Sequence, residues 1–155
     1  MGNTSTEADR AAELFGQGFN CAQSVLEACG ERYGLEPETA LRVAEAFGGG
    51  MGRMGLTCGA VTGAMMAIGL KHAKLTPDDN ASRRKSIELA RRLREAFEAR
   101  HGTIACRELL GCDISTAEGF LHAKDAGLFR DICTKAVRDA AEIVADLLAH
   151  SEDQL

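Results

Sequence analysis

Apolar residues recur along most of this chain with a period near 3.6, which is typical of amphipathic α-helices. Glycines and helix-capping residues separate one apolar stripe from the next. The pattern predicts helices over residues 6–15, 21–33, 37–47, 58–75, 80–101, 116–124 and 130–150. We expect a further short helix that contains Cys106 and ends at Gly111.

One segment is apolar on all sides rather than on one face. Residues 54–70 carry no charge, but a helix of this length spans only about 25 Å, too short for a bilayer. We therefore expect a buried central helix and no membrane insertion, with Gly59 and Gly63 allowing a neighbouring backbone to approach closely. The 25 Ala and 16 Leu outnumber the 5 Val and 6 Ile, which also favours helix. The sequence predicts an all-α fold, a single compact bundle of five to seven helices forming one domain over residues 1–155.

The charge balance argues against a protein that binds nucleic acid. The net charge is −5 and the isoelectric point is near 5.4, whereas phosphate binding needs a clustered positive field. The basic cluster at residues 83–85 continues into a segment with interleaved acidic residues at helical spacing, typical of a solvated helix face. Glu7 and Asp9 stand where a secretory signal would be apolar, so we expect a cytoplasmic protein. The sequence leaves homo-oligomerisation open.

Six cysteines are many for a chain of this size without a secretory signal. No C-x-x-C pair occurs, so ligands or redox partners would have to converge from distant helices. Asn20 and Thr57 are candidate helix caps, which would make Cys21 and Cys58 the first residues of their helices. The partial positive charge of a helix N-terminus stabilises a thiolate there.

The other four cysteines differ in their expected positions. Cys106 falls in the first turn of the short helix, and Cys133 falls near the start of the last helix. Cys29 lies on the core stripe of its helix, so we expect it to be buried. Cys112 follows the terminating Gly111 and is either a resolving thiol or an incidental loop residue.

A glycine-rich segment at residues 48–55 precedes the central helix. It contains the spacing G-x-G-x-x-G, but no strand is predicted before it, so it does not indicate a dinucleotide-binding turn. The alternatives are a simple connector, or a backbone that passes close to a group held at the start of the next helix. In the second case we expect substitution of Gly52 or Gly55 by valine to disturb the cysteines more than the overall helicity.

Four segments together resemble the C_GCAxxG_C_C family of redox-active proteins. They are N-C-A-Q at 20–23, C-G-A-V-T-G-A at 58–64, C-R-E-L-L-G at 106–111, and Cys133 four residues before Val137. The resemblance covers about residues 11–148 and implies that the four shared cysteines correspond to Cys21, Cys58, Cys106 and Cys133. A similar segment accompanies the iron–sulfur part of split-Soret cytochromes, but this chain lacks C-x-x-C-H, so haem is not implied.

We expect these four cysteines to meet where several helix N-termini converge. The leading interpretation is a redox-active protein that performs thiol–disulfide or electron-transfer chemistry with an unknown redox partner, with Cys21 and Cys58 reactive and Cys106 and Cys133 resolving. The first alternative is a metalloprotein in which the same four thiolates hold an iron–sulfur cluster or a metal ion. The second is a non-catalytic helical interaction module. Whether the protein is an oxidoreductase stays open at this stage.

Overall fold

The structure, a computed structural model, describes residues 6–151 and is all-α within that range. The helices are α1 (Glu7–Gly16), α2 (Cys21–Gly30), α3 (Pro37–Ala44), α4 (Gly59–His72), α5 (Asn80–His101), α6 (Cys106–Leu110), α7 (Ala117–Asp125) and α8 (Thr134–His150). Short 3₁₀ turns at Glu31–Tyr33 and Glu45–Phe47 extend α2 and α3, and a π-helical turn at Phe129–Cys133 leads into α8. The predicted all-α fold is confirmed, with eight α-helices in the described residues where five to seven were expected.

The central position of α4 follows from its sequence. It is apolar nearly all round, and it packs against α2, α5 and α8. A Cβ atom on Gly63 would lie 2.8 Å from the carbonyl oxygen of Ala22, so glycine is required for α2 to approach this closely. The prediction of a buried central helix is confirmed. Within residues 6–151 no helix is long and apolar enough to cross a membrane.

The start of α4 differs from the prediction by one residue. The helix begins at Gly59, and Cys58 is its N-cap residue. Thr57 does not cap the helix, because it forms an isolated antiparallel bridge with Ala105. The helix also ends at His72, before the predicted Leu75.

Two apolar clusters matter for the cysteines. The main core joins buried residues of α1, α2, α4, α5 and α8. A smaller cluster lies under α6 and α7 and contains Cys106, Leu110, Ile114 and Ala123. Cys58 belongs to the main core, whereas Cys133 packs against the smaller cluster. The cysteines therefore lie at the boundary between these two parts of the fold.

Candidate functional site

Four cysteines line a single cavity of about 510 Å³. They come from four segments that are distant in sequence: Cys21 begins α2, Cys58 precedes α4, Cys106 begins α6, and Cys133 ends the π-helical turn. Cys29 and Cys112 do not line the cavity. All six cysteines are free thiols in this structure.

Cys21 is positioned by the cap of its helix. The Asn20 side chain accepts a hydrogen bond from the Gln23 amide at 2.9 Å, and the Gln23 side chain accepts one from the Asn20 amide at 3.0 Å. This reciprocal capping box fixes Cys21 as the first residue of α2, as predicted. Its sulfur packs against Gly59, where a Cβ atom would overlap it. Cys21 therefore lies directly beside the start of α4.

Backbone hydrogen bonds connect the segments that carry Cys58 and Cys106. The Cys58 amide donates to the carbonyl of Ile104 at 2.7 Å, and the Cys106 amide donates to the carbonyl of Leu56 at 2.6 Å. These two bonds flank the Thr57–Ala105 bridge. They fix the two cysteines in register although they are 48 residues apart in the sequence.

Cys133 is not at a helix N-terminus. Its backbone is helical, with φ −71° and ψ −35°, because the preceding π-helical turn continues directly into α8. The extra residue of a π turn changes which way the following side chains point. The expected position at a helix N-terminus is therefore found for Cys21, Cys58 and Cys106. It is not found for Cys133.

Burial, rather than the helix terminus, dominates the ionisation of Cys58. Only 6% of Cys58 is exposed. Burial raises the pKa of its thiol well above the ordinary value, and the neighbouring Cys21 raises it further. The amides of Ala60 and Val61 at the start of α4 act in the opposite direction but do not outweigh burial. The prediction that the helix N-terminus stabilises a thiolate at Cys58 is therefore wrong for the reduced protein.

The same cause acts on two other cysteines of the cavity. Burial raises the pKa of Cys106 to about 11, with smaller contributions from Cys21 and Cys112 and an opposing one from Arg107. Burial likewise raises the pKa of Cys133 to about 12, with Cys21 and Cys106 adding to it. Since Cys21 influences all three other cavity thiols, it lies within electrostatic range of each of them.

The glycine-rich segment packs against the cavity. Residues 49–53 all have φ between +59° and +70°, a left-handed stretch that favours glycine. A Cβ atom on Gly50 would lie 2.7 Å from the Cβ of Cys106, so the backbone touches this cysteine. The close approach expected of this segment is present, but at Gly50. A Cβ atom on Gly52 would meet nothing closer than 3.7 Å, and one on Gly55 would meet Arg107 at 3.3 Å.

Sequence reasoning missed most of the cavity wall. Arg53 lies over the ring of Phe120, with its guanidinium carbon 4.1 Å from the ring centroid. Both residues line the cavity, as do three more phenylalanines, Phe15, Phe19 and Phe129. Only the place of Phe19 in the wall could have been inferred from the sequence, because Phe19 stands two residues before Cys21. Nothing in the sequence places residues 120 and 129 beside it.

The two remaining cysteines, Cys29 and Cys112, pack against the protein outside the cavity. Only 3% of Cys29 is exposed, and its sulfur lies 3.9 Å from the carbonyl oxygen of Ala141 in the main core. Burial raises its pKa to about 12. Cys112 is partly buried, with its sulfur 3.9 Å from the carbonyl of Gly119. The predicted core position of Cys29 is confirmed.

The cavity does not present a ready set of metal ligands. Across residues 6–151, no group of three or more His, Cys, Asp or Glu side chains has an arrangement that could hold a metal ion. The four cysteines share a cavity but do not form such a group in the described part of the chain.

A sequence model of one protein family matches residues 19–147, and its description is "Putative redox-active protein (C_GCAxxG_C_C)". The chain belongs to the C_GCAxxG_C_C family. The match includes all four cavity cysteines, and it confirms the resemblance seen in the sequence. No curated protein and no solved structure matched the chain.

Proposed function

We propose that this C_GCAxxG_C_C protein is a thiol redox protein whose reacting groups are the four cavity cysteines. The observation that carries the proposal is the selective lining of one cavity by Cys21, Cys58, Cys106 and Cys133, while the other two cysteines lie elsewhere. The family description supports redox activity. Cys21 and Cys58 are the reactive pair that forms the first disulfide, and Cys106 and Cys133 serve as resolving thiols that exchange with that disulfide afterwards.

Exposure and position assign different roles to the reactive pair. Cys21 is partly exposed at the start of α2, so its sulfur is accessible to a partner. Cys58 is buried beside it and stays protonated at neutral pH, because burial raises its pKa. Cys21 is therefore the attacking thiolate, and Cys58 is the thiol that closes the protein disulfide.

With a disulfide as the oxidised partner, the Cys21 thiolate attacks one sulfur and breaks the partner's S–S bond. The first partner thiolate leaves and takes up a proton. Cys58 then loses its proton and attacks the Cys21 sulfur of the mixed disulfide, which releases the second partner thiol. The protein loses two electrons and two protons and gains one disulfide, while the partner becomes a dithiol. An electron acceptor other than a disulfide would receive the same two electrons and two protons.

The test is peptide mapping after mild oxidation. Reduced protein is treated with diamide without air and digested under non-reducing conditions. We expect a Cys21–Cys58 disulfide, with Cys29 still carrying a free thiol. In a Cys58→Ser variant treated with oxidised glutathione, Cys21 should instead persist as the mixed disulfide. Absence of any disulfide among the four cavity cysteines, or oxidation of Cys29 at the same rate, would overturn the proposal.

The metalloprotein alternative is tested on the same preparation. Protein purified without oxygen should be colourless and should contain no stoichiometric iron or zinc, because the described residues offer no ready ligand group. Visible charge-transfer absorption with stoichiometric bound iron would replace the thiol mechanism by a cluster held on these cysteines.

A further inference from the structure

The walls of the cysteine cavity are strongly aromatic. The chain has six phenylalanines, and four of them line this cavity: Phe15, Phe19, Phe120 and Phe129. Its volume of about 510 Å³ falls within the range of small-molecule sites, about 300 to 1,000 Å³. A protein disulfide would need to bring only one sulfur to Cys21 and would not need a cavity of this size. The cavity is therefore suited to the body of a small planar molecule.

The charges at the cavity are all of one sign. The protein has a net charge of −5, yet among residues 6–151 the only charged residues that line the cavity are Arg53 and Arg130, and no carboxylate of this range lines it. Arg130 is already paired with Asp131 at 2.9 Å. In the described part of the chain, the Arg53 guanidinium has no hydrogen bond or ion pair, and its contact is the face of Phe120. Arg53 is thus an exposed cation at the cavity whose guanidinium is not paired with a protein acceptor in the described residues.

The backbone holds Arg53 at this place at an energetic cost. Its φ is +59°, which for a residue with a side chain costs about 1 kcal/mol or more. A Cβ atom on Gly49 would lie 2.8 Å from the Cγ of Arg53, so the absence of a side chain at Gly49 makes room for the arginine. Strained residues of this kind cluster at sites that bind ligands.

Arg53 does not measurably influence three of the four cavity thiols. The charges that act on the pKa of Cys58, Cys106 and Cys133 include other cysteines and, for Cys106, Arg107, but not Arg53. Its guanidinium fork stays available for a bidentate anion such as a carboxylate, sulfonate or phosphate.

We propose that the cavity binds a small aromatic anion, with its ring system among the phenylalanines and its acidic group on Arg53, and that this molecule is the redox partner of the thiols. This inference rests on the proposed function and names the chemical class of its partner, a two-electron acceptor of the quinone type. When Cys21 and Cys58 form their S–S bond, they lose two electrons and two protons. The quinone takes up both and becomes the hydroquinone.

The binding half is tested with a matched pair of fluorescent probes. One is 1-anilinonaphthalene-8-sulfonate, and the other is N-phenyl-1-naphthylamine, which has the same ring system without the sulfonate. Arg53→Gln should weaken binding of the sulfonate about tenfold and change that of the neutral probe by less than about twofold. Arg84→Gln removes the same charge from α5, away from the cavity, and should affect neither probe. Leu109→Trp, which fills the cavity, should weaken both.

Equal effects of Arg53→Gln and Arg84→Gln on the sulfonate would overturn the Arg53 assignment. Unchanged binding of both probes in Leu109→Trp would overturn the cavity as the binding site. Helical circular dichroism and continued protection of Cys29 from alkylation establish that each variant is folded.

The redox half is tested with anthraquinone-2-sulfonate, whose fused rings leave no free quinone position for thiol addition. Reduced protein without air should convert it to the hydroquinone, with one Cys21–Cys58 disulfide formed for each hydroquinone. Arg53→Gln should lower the second-order rate about tenfold, in step with the loss of affinity. If diamide forms the disulfide but the anthraquinone stays oxidised, the partner class is wrong and the proposed function stands. If diamide forms no disulfide, the proposed function itself fails, whatever the probes show.

Discussion

Cys21 is more accessible than Cys29, the other cysteine of its helix. It is partly exposed and begins α2, whereas Cys29 is 3% exposed and burial raises its pKa to about 12. We predict that iodoacetamide at neutral pH alkylates Cys21 first, Cys58 later and Cys29 last. Samples of the alkylation reaction are quenched with acid at successive times and digested, and mass spectrometry of the peptides gives the order of modification. The reduced, metal-free protein is used, so that neither a disulfide nor a ligand hides a thiol.

A Cys21→Ser variant is the control for this order. It should lose the fastest phase of alkylation and leave the slow modification of Cys29 unchanged. If Cys29 reacts as fast as Cys21 in folded protein, the link between helix terminus, exposure and reactivity is wrong for this site.

Gly59 and Gly69 form a matched pair within α4. A Cβ atom at Gly59 would overlap the Cys21 sulfur and lie 3.0 Å from the carbonyl oxygen of Phe47, whereas one at Gly69 would meet nothing within 4 Å. We predict that Gly59→Ala lowers the free energy of unfolding by about 1 to 3 kcal/mol, because the start of α4 becomes overpacked. Gly69→Ala should raise it by about 0.5 to 1 kcal/mol through helix propensity. Urea denaturation under reductant measures both.

The comparison of the two glycine variants also reports on the cavity. Gly59→Ala should change the alkylation rate of Cys21, since the sulfur must move, while Gly69→Ala should not. A Gly59→Ala variant with unchanged stability and unchanged Cys21 reactivity would show that α2 and α4 do not pack this closely.

At the scale of the elements, the glycine-rich segment offers a second matched pair. Gly50 and Gly52 have similar positive φ values, +70° and +59°, so alanine at either position carries similar backbone strain. Only at Gly50 would the added Cβ also meet close neighbours, namely the Cβ of Cys106 at 2.7 Å, the amide nitrogen of Leu56 at 2.6 Å and the carbonyl carbon of Gly55 at 2.9 Å. We predict that Gly50→Ala changes the alkylation rate of Cys106, whereas Gly52→Ala lowers stability by about 1 kcal/mol without altering that rate. Equal effects on Cys106 would mean that the segment is only a connector.

The helices could be predicted from the sequence because their signals are local. Asn20 and Gln23 form the capping box that their spacing indicated, and α5 has the predicted bounds, Asn80–His101. The bridge between Thr57 and Ala105 could not be predicted, because it joins residues 48 positions apart and no strand pattern surrounds either one. That bridge changed the start of α4 and the role of Thr57. The left-handed stretch is likewise hidden, since Met51 and Arg53 have side chains that disfavour it.

At the scale of the whole molecule, the cysteines of the cavity could be identified but not their chemical environment. Helix starts and family resemblance singled out the four cysteines that share the cavity. Burial depends on long-range packing, because Cys58 lies in the main core that α1, α2, α4, α5 and α8 form together, and this packing decides its ionisation. Arg53 and Phe120 meet for the same reason, through contacts that no local pattern records.

Buried thiols in several parts of the fold give the whole molecule a pH-dependent stability. In the folded state burial raises the pKa of Cys29 and Cys133 to about 12 and that of Cys106 to about 11, whereas an unfolded cysteine titrates near about 8.5. Below the pKa of the unfolded cysteine, both the folded and the unfolded state keep these protons, so the thiols do not change the free energy of unfolding with pH. Between that value and the folded pKa only the unfolded chain loses protons, and stability therefore falls as pH rises.

Cys29→Ala isolates one of these contributions. The substitution should lower the free energy of unfolding at pH 7, because it leaves a small void in the core. Above about pH 8.5, however, the free energy of unfolding of the variant should fall less steeply with pH than that of the wild type, by up to about 1.4 kcal/mol per pH unit. Val144→Ala, another fully buried residue, should lower stability at every pH and keep the wild-type slope. Urea denaturation at several pH values between about 7 and 10.5, with reductant present, separates the two. If both variants decline in parallel with the wild type, Cys29 ionises as readily in the folded protein as in the unfolded chain, and the α2–α8 packing around it must be looser than its contact with Ala141 indicates.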